Sequence, residues 1–198
     1  ISTVFVLSVA YCMSRLRFKM RKPFMNLAMI LGLFPAFMSM VAVYFILKAI
    51  GLTEGGMLRL SLILIYSAGT GTGFYIAKGF FDTVPKSLTE AAILDGCTQF
   101  QAFYKVILPL SKPIVVYTIL TAFLAPWLDF VFVKVIVGPN DKYWTVSLLL
   151  YNMLEKEFVN GWFTRWAAAA VIVSIPISIL FVIMQRFYVD GLTGAVKG

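Results

Sequence analysis

The sequence contains no histidine and only two cysteines, Cys12 and Cys97. Without histidine the chain cannot form a Ser-His-Asp triad, an imidazole metal site or a histidine general base. The two cysteines lie far apart in the sequence, which is not the spacing of a metal-binding cluster or of a disulfide framework. Charged residues make up only 13% of the chain, about half the share found in a soluble domain. The composition therefore argues against histidine-based catalysis and against a cysteine-stabilised secreted domain.

Apolar side chains are what the sequence has in excess. Of its 198 residues, 61% are hydrophobic, and the mean hydropathy is +0.90. Such a composition is typical of a chain whose solvent is lipid rather than water. The net charge of +8 would also suit nucleic-acid binding, but in so apolar a chain it indicates the basic cytoplasmic loops of a membrane protein.

The apolar residues are concentrated in runs that we predict to be membrane spans: about 1–14, 24–47, 60–81, 113–133 and 166–185. The first run is too short to cross a bilayer alone, so we expect the beginning of that span to lie upstream of Ile1. Because an unpaired backbone is costly in lipid, each run should be helical. The predicted fold is an all-α polytopic transmembrane bundle, one domain over residues 1–198, with helices kinked at Pro35, Pro126 and Pro176.

Positive charge alternates between the loops. The segments 15–22, 78–112 and 186–198 hold eleven Lys and Arg residues, whereas the loops on the opposite side hold six. The positive-inside rule places the richer side in the cytoplasm. The C-terminus is therefore predicted to be cytoplasmic, and the loop 138–164 to lie outside.

The cytoplasmic segment 82–112 is too long for a passive connection. Ser87 followed by Glu90 fits a capping box and predicts that a helix begins there. Gly96 is a typical stop for that helix. A second short helix should follow, with one apolar face formed by Phe100, Phe103, Tyr104 and Ile107.

This helix–glycine–helix element has two interpretations. The small side chains of Ala91 and Ala92 beside the negative Glu90 suit close docking into a cleft of another protein. An amphipathic helix pair lying on the lipid surface has the same periodicity. The residues alone leave both interpretations open.

The loop resembles the EAA loop of ABC importer membrane subunits, whose pattern is E-A-A-x3-G-x9-I-x-L-P. The matching residues are Glu90, Ala91, Ala92, Gly96, Leu108 and Pro109, with Val106 as a conservative replacement for Ile. The resemblance implies that the loop, including Asp95, docks into a cytoplasmic ATPase subunit. On this reading Glu90 makes polar contacts, Ala91 and Ala92 pack against the partner, and Gly96 supplies the turn.

The stretches 75–81, 126–130 and 185–198 are similar to the permeases of the maltose/maltodextrin branch of carbohydrate importers. Members have six spans, which implies that the first is missing here. The resemblance implies a bacterial cell-membrane protein with a second homologous permease, an extracytoplasmic solute-binding protein facing loop 138–164, and a dimer of ATP-binding subunits that hold ATP and Mg. It implies no cofactor on this chain and no nucleic acid. It places a C-terminal tail at the ATPases, formed by Gly194, Val196, Lys197 and Gly198.

Asp129 is the only acidic residue well inside a predicted span, and such residues are costly in lipid. One role would be contact with a sugar, with Trp127 and Tyr66 stacking on its apolar faces. The other would be a hydrogen bond to a neighbouring helix or pairing with Lys134. The candidate substrate path therefore contains Tyr66, Trp127 and Asp129.

The predicted function is that of a non-catalytic permease subunit of an ATP-driven importer for maltodextrin-type oligosaccharides. The sequence contains no G-x4-G-K-[ST] motif, so ATP hydrolysis is expected from partner subunits. One alternative is a permease for another sugar or small solute. Another is a self-sufficient secondary transporter, which is expected to have ionisable residues near the middle of the membrane and internal repeat symmetry. An intramembrane aspartyl protease would need a second aspartate facing Asp129, and Asp82 lies at the far interface.

Overall fold

A computed structural model describes residues 1–68, 73–155 and 160–195, and in these ranges every regular element is helical. The helices are α1 (Ser2–Arg15), α2 (Arg21–Gly32), α3 (Ala36–Ala49), α4 (Met57–Ala68), α5 (Gly73–Thr83), α6 (Lys86–Leu94), α7 (Gln99–Ala102), α8 (Leu108–Leu110), α9 (Lys112–Leu128), α10 (Val131–Val137), α11 (Val146–Glu155) and α12 (Asn160–Ala195). A π-helical turn, Phe103–Ile107, connects α7 to α8, and a 3-10 turn covers Asp141–Tyr143. The predicted all-α fold is confirmed for the described residues.

The chain divides into two compact units. The first unit contains Ile1–Leu33, Ser67–Thr121 and the C-terminal segment from Met184, and the second contains Phe34–Tyr66 and Ala122–Ile183. The helices α1, α5, α6 and α7 belong to the first unit, whereas α10 and α11 belong to the second. The predicted coupling loop and the predicted substrate residues therefore lie in different units.

The core of the first unit forms where α1 packs along α5. Ala10 and Ala77 are almost completely buried there, because small side chains let two helices approach closely. Phe81 and Ile107 are also fully buried, and the rings of Tyr11 and Phe103 lie 4.6 Å apart. The second half of the loop 82–112 thus contributes to the same core as α1 and α5, which anchors the loop to this unit.

The core of the second unit is built around α10. Ile136 packs with Leu47 and Leu58, whereas Val133 and Leu148 are fully buried in an adjoining cluster. Three of the seven residues of α10, Val133, Ile136 and Val137, are therefore buried.

Among the described residues, two stretches are long and apolar enough to cross a membrane: Met57–Thr83, which runs over the undescribed residues 69–72, and Trp162–Gln185. There are two further candidate spans if a bent pair of helices is counted as one broken span. The pairs are α2 with α3 and Gln99–Leu110 with α9. The run predicted at 24–47 is thus two helices rather than one. Pro35 lies at the break, because proline lacks the amide donor that helix continuation needs and forces its predecessor out of the helical region.

The run predicted at 113–133 is also interrupted. The helix α9 ends at Leu128, two residues after Pro126, and α10 begins at Val131. Asp129 and Phe130 form the link. Pro176, by contrast, lies inside the continuous helix α12.

Candidate functional site

The first helix of the loop 82–112 starts earlier than its cap residues predict. The helix α6 begins at Lys86, with Pro85 at the N-cap position and no side-chain cap, so the capping box predicted for Ser87 and Glu90 is wrong. Pro85 has φ −54° and ψ 131°, and its fixed φ suits the entry to a helix. A capping box does form at the next helix, where Thr98 accepts from the amide of Gln101 at 3.2 Å.

Gly96 ends α6, as the sequence predicts. Its φ is +88°, a left-handed conformation that L side chains rarely adopt. The amide of Gly96 donates to the Ile93 carbonyl at 3.0 Å, and the amide of Cys97 donates to the Ala92 carbonyl at 2.9 Å. These two bonds form a Schellman motif. A Cβ placed on Gly96 would meet no atom within 4 Å, so glycine is required for its backbone conformation rather than for space.

Most of α6 is exposed, including Lys86, Leu88 and Ile93, and one of its exposed sides is a stripe at helical spacing. Its members are Ser87, Glu90, Ala91 and Leu94, and we call this stripe the α6 face. Leu94 is 88% exposed, whereas Ala92 is only 7% exposed. The resemblance implies that Ala91 and Ala92 both pack against a partner, but Ala92 is already buried within this chain. Asp95 and Gly96, directly after the helix, are exposed.

The second helix does not present the single apolar face predicted for it. Phe103 and Ile107 are buried, whereas Phe100 and Tyr104 are exposed with their rings 5.4 Å apart. The helix widens into the π-helical turn directly before Pro109, which cannot donate the normal hydrogen bond to the carbonyl four residues earlier.

The end of the EAA-like pattern forms a corner. Val106 and Leu108 are half-buried, and Pro109 is exposed. After fully buried Ser111 the chain turns by 90° into α9. The pattern therefore extends from the middle of α6 into α8 and ends just before this corner.

The predicted substrate residues lie in the second unit, where two of them are in direct contact. The hydroxyl of Tyr66 donates to Asp129 Oδ2 at 3.0 Å, and the amide of Phe132 donates to Asp129 Oδ1, also at 3.0 Å. Asp129 thus bonds a neighbouring helix and the first turn of α10, which fits the structural alternative from the sequence. Lys134 Nζ lies 4.3 Å from the ring centre of Tyr151.

Trp127 is better placed than Asp129 to bind a ligand, because both carboxylate oxygens of Asp129 already accept hydrogen bonds within the chain. Its indole Nε1 is buried and has no hydrogen-bond partner among the described residues. Its ring stacks on Phe123 with centres 5.1 Å apart, and its carbonyl accepts a hydrogen bond from Ser147. In the ranges that the structure describes, no group of three His, Cys, Asp or Glu side chains is placed to hold a metal ion.

The predicted C-terminal tail is only partly within the described residues. The helix α12 continues to Ala195, so Gly194 belongs to a helix. Val196, Lys197 and Gly198 lie outside the described residues. Part of the predicted outer loop, residues 156–159, also lies outside them.

Sequence reasoning missed the polar contacts at the end of α1. The charge pattern assigns Arg15 to the basic segment 15–22, but its guanidinium Nη2 donates to the carbonyls of Phe81 and Val84, each at 2.7 Å. The available signal was position: Arg15 follows Tyr11 by four residues, so it continues the buried stripe of α1.

In the described ranges the chain is helical and rich in apolar runs, with a helix–glycine–helix loop between them, which is compatible with a membrane subunit of a transport system. Residues 4–193 match the family described as binding-protein-dependent transport system inner membrane component, and the chain belongs to this family. The resemblance drawn from the EAA-like loop is therefore confirmed at the level of the family.

Relatives in this family include sugar permeases. The chain is 34% identical over 199 residues to the galactooligosaccharides transport system permease protein GanQ of Bacillus subtilis, covering all of this chain and 69% of the relative. It is 35% identical to the maltose/maltodextrin transport system permease protein MalG of Salmonella typhimurium over 96% of this chain and 64% of the relative. The MalG protein of Escherichia coli K12 is 34% identical with the same coverage. The chain thus spans about two thirds of the length of these relatives.

Proposed function

We propose that this chain is the membrane-spanning permease subunit of an ATP-driven importer for neutral oligosaccharides of the maltodextrin type. The observation that carries the proposal is the α6 face, an exposed stripe of small and apolar residues with one carboxylate, held on a rigid helix pair. Leu94 lies outside the predicted spans and is 88% exposed, so another molecule is expected to cover it. The match to the transport family and to sugar permeases supports this assignment of class.

The occupant of the α6 face is a cytoplasmic ATP-binding subunit. Ala91 permits close approach, Leu94 inserts its side chain, and the carboxylates of Glu90 and Asp95 pair with cations of the partner. The competing idea is that α6 lies on the lipid surface. Interfacial helices carry mainly Lys and Arg on their polar side, whereas the exposed charges of α6 and its end are Lys86, Glu90 and Asp95, so protein is the better occupant.

The remaining partners follow from membership of this class. A dimer of ATP-binding subunits holds ATP and Mg, since this sequence has no nucleotide-binding motif of the G-x4-G-K-[ST] type. A second homologous permease completes the pathway, and an extracytoplasmic solute-binding protein faces the loop 138–164. The C-terminus is cytoplasmic, and the tail residues Gly194, Val196, Lys197 and Gly198 contact the ATP-binding subunits.

The transported sugar is assigned to the maltodextrin type by overall resemblance. The relatives named above include a galactooligosaccharide permease and maltose/maltodextrin permeases, so a different sugar is the second candidate. Within the candidate path, Trp127 supplies an apolar ring and an unpaired donor. Tyr66 and Asp129 are engaged with each other, and we assign them to holding the break between α9 and α10 in place.

The transport cycle is alternating access driven from the cytoplasmic side. Closure of the ATP-binding subunits around ATP displaces α6, and the connected spans turn from an inward-facing to an outward-facing arrangement. Sugar delivered by the binding protein enters, and hydrolysis resets the arrangement. The chain itself forms and breaks no covalent bond.

A charge placed in the α6 face tests the docking. We expect Leu94→Glu to lower both the amount of ATP-binding subunit that co-purifies and the uptake of labelled maltodextrin by at least about tenfold, because burying an unpaired carboxylate costs several kcal/mol. The fold should survive, since Leu94 is 88% exposed.

The matched control is Met20→Glu, an equivalent change at a residue that is 65% exposed in the basic segment before α2. It should leave both measurements unchanged. Normal co-purification of the ATP-binding subunit with Leu94→Glu would refute docking at this face. Normal docking with uptake of galactooligosaccharide but not of maltodextrin would correct the substrate alone.

A further inference from the structure

The end of α1 is bonded to the turn that leads into α6. Arg15 is the last residue of α1, and its Nη2 donates to the carbonyls of Phe81 and Val84 at 2.7 Å each. Phe81 lies in the last turn of α5, and its carbonyl also accepts from the amide of Val84 at 3.2 Å. Val84 lies in the two-residue link between α5 and α6. One guanidinium group therefore joins α1 to the point where the chain enters α6.

Two other contacts from the same face of α1 reach the loop. Ser14, only 2% exposed, donates to Asp82 at 2.6 Å, and Lys78 binds the other oxygen of Asp82 at 2.5 Å. The hydroxyl of Tyr11 lies 3.2 Å from the carbonyl of Gln99, at the start of α7. Contacts from α1 thus hold the chain both before α6 and after it.

Making this connection with an arginine lowers the stability of the fold. The Nε and Nη1 atoms of Arg15 are buried and have no hydrogen-bond partner among the described residues. Buried donors without partners, above all on a cation, lower the stability of a fold. A small neutral residue would avoid this cost, so stability alone gives no reason for an arginine here. The guanidinium can bond two carbonyls at once. One of them lies in α5 and the other in the link that connects α5 to α6.

We propose that Arg15 is a positioning residue that fixes α6 to α1, so that α1, α5 and α6 move as one body when the ATP-binding subunits close. This inference rests on the proposed function, because it assigns a role in transmitting the movement of α6. Without the bonds of Arg15, the link at Val84 loses its direct connection to α1, and α6 follows the ATP-binding subunits further than α1 and α5 do. More ATP is then hydrolysed for each sugar transported.

The test compares Arg15→Gln, Arg15→Lys and Arg17→Gln in the complete transporter, assembled with its partner subunits in proteoliposomes. Maltodextrin uptake and ATP hydrolysis are measured together, and the co-purified ATP-binding subunit is quantified. We expect Arg15→Gln to keep normal amounts of ATP-binding subunit but to hydrolyse about tenfold more ATP per sugar transported, the factor expected from loss of charge-assisted hydrogen bonds. Arg15→Lys should recover much of the coupling, because an ammonium group still donates to carbonyls.

The control, Arg17→Gln, removes the same charge from an exposed position two residues away and should couple normally. An unchanged ratio of ATP hydrolysed to sugar transported in both Arg15 variants would overturn the positioning role, even if less complex assembled. If Arg15→Gln fails to assemble, a ratio in Arg15→Lys that lies between the wild-type value and a tenfold increase supports the positioning role, and the wild-type ratio overturns it. Absence of ATP-binding subunit from the wild-type complex is a different result, since it refutes the proposed function itself.

Discussion

Replacement of Gly96 tests the turn that ends α6 separately from the rest of the loop. The left-handed conformation at φ +88° costs an L-residue roughly 1–2 kcal/mol. No atom lies within 4 Å of an added Cβ, so Gly96→Ala adds this conformational cost and nothing steric. A cost of this size shifts the closed turn toward open forms by about 5–30-fold.

Amide hydrogen exchange at Cys97 measures the shift, because that amide donates to the Ala92 carbonyl within the turn. We expect Gly96→Ala to accelerate its exchange by about 5–30-fold. Gly96→Asn should have a smaller effect, since asparagine tolerates left-handed backbone. The control is Gly79→Ala, inside α5 and also free of contacts, which should leave the exchange of Cys97 unchanged. Wild-type exchange in Gly96→Ala would refute the assignment of the turn.

Other substitutions test the remaining contacts. Thr98→Ala removes the acceptor of the Gln101 amide and should destabilise the start of α7 by about 1 kcal/mol; unchanged amide exchange at Gln101 would contradict the capping box. Tyr66→Phe removes the donor to Asp129 and should lower the free energy of unfolding in detergent by about 0.6–1.7 kcal/mol, whereas Tyr44→Phe should not; equal midpoints would show that the bond adds nothing. Asp129→Asn keeps an oxygen that accepts a hydrogen bond, so we expect normal sugar uptake. A loss of uptake would instead indicate that the negative charge of Asp129 is needed to bind the sugar.

Composition and spacing were sufficient for the fold class and for the turn. The excess of apolar residues requires helices in lipid, and only glycine readily adopts the conformation found at Gly96. Both predictions depend on properties of single residues or of short runs, which distant parts of the chain do not alter.

The sequence does not show which of several neighbouring signals determines where a helix begins or ends. Ser87 and Thr98 each begin a capping-box pattern, but Pro85 starts the first helix earlier, and only Thr98 forms its box. Pro35 was expected to kink a span and instead lies where two helices separate. In each case a neighbouring proline determined the outcome.

Polar residues near the ends of spans were the hardest to assign. Arg15 carries the same charge as its exposed neighbour Arg17, and only the packing of α1 on α5 shows that one of them is bonded inside. Asp129 was weighed between sugar contact and helix contact, and its two hydrogen bonds within the chain became visible only in three dimensions.

Docking of α6 into an ATP-binding subunit is tested most directly by crosslinking from position 94 in intact membranes. A photoreactive amino acid replaces Leu94 in the transporter expressed with its partner subunits, and Met20 is replaced in the same way as the control. We expect a covalent product with the ATP-binding subunit from position 94 and none from position 20. Products with lipid alone from position 94, or labelling of that position by a reagent confined to the outside, would contradict the coupling role of α6.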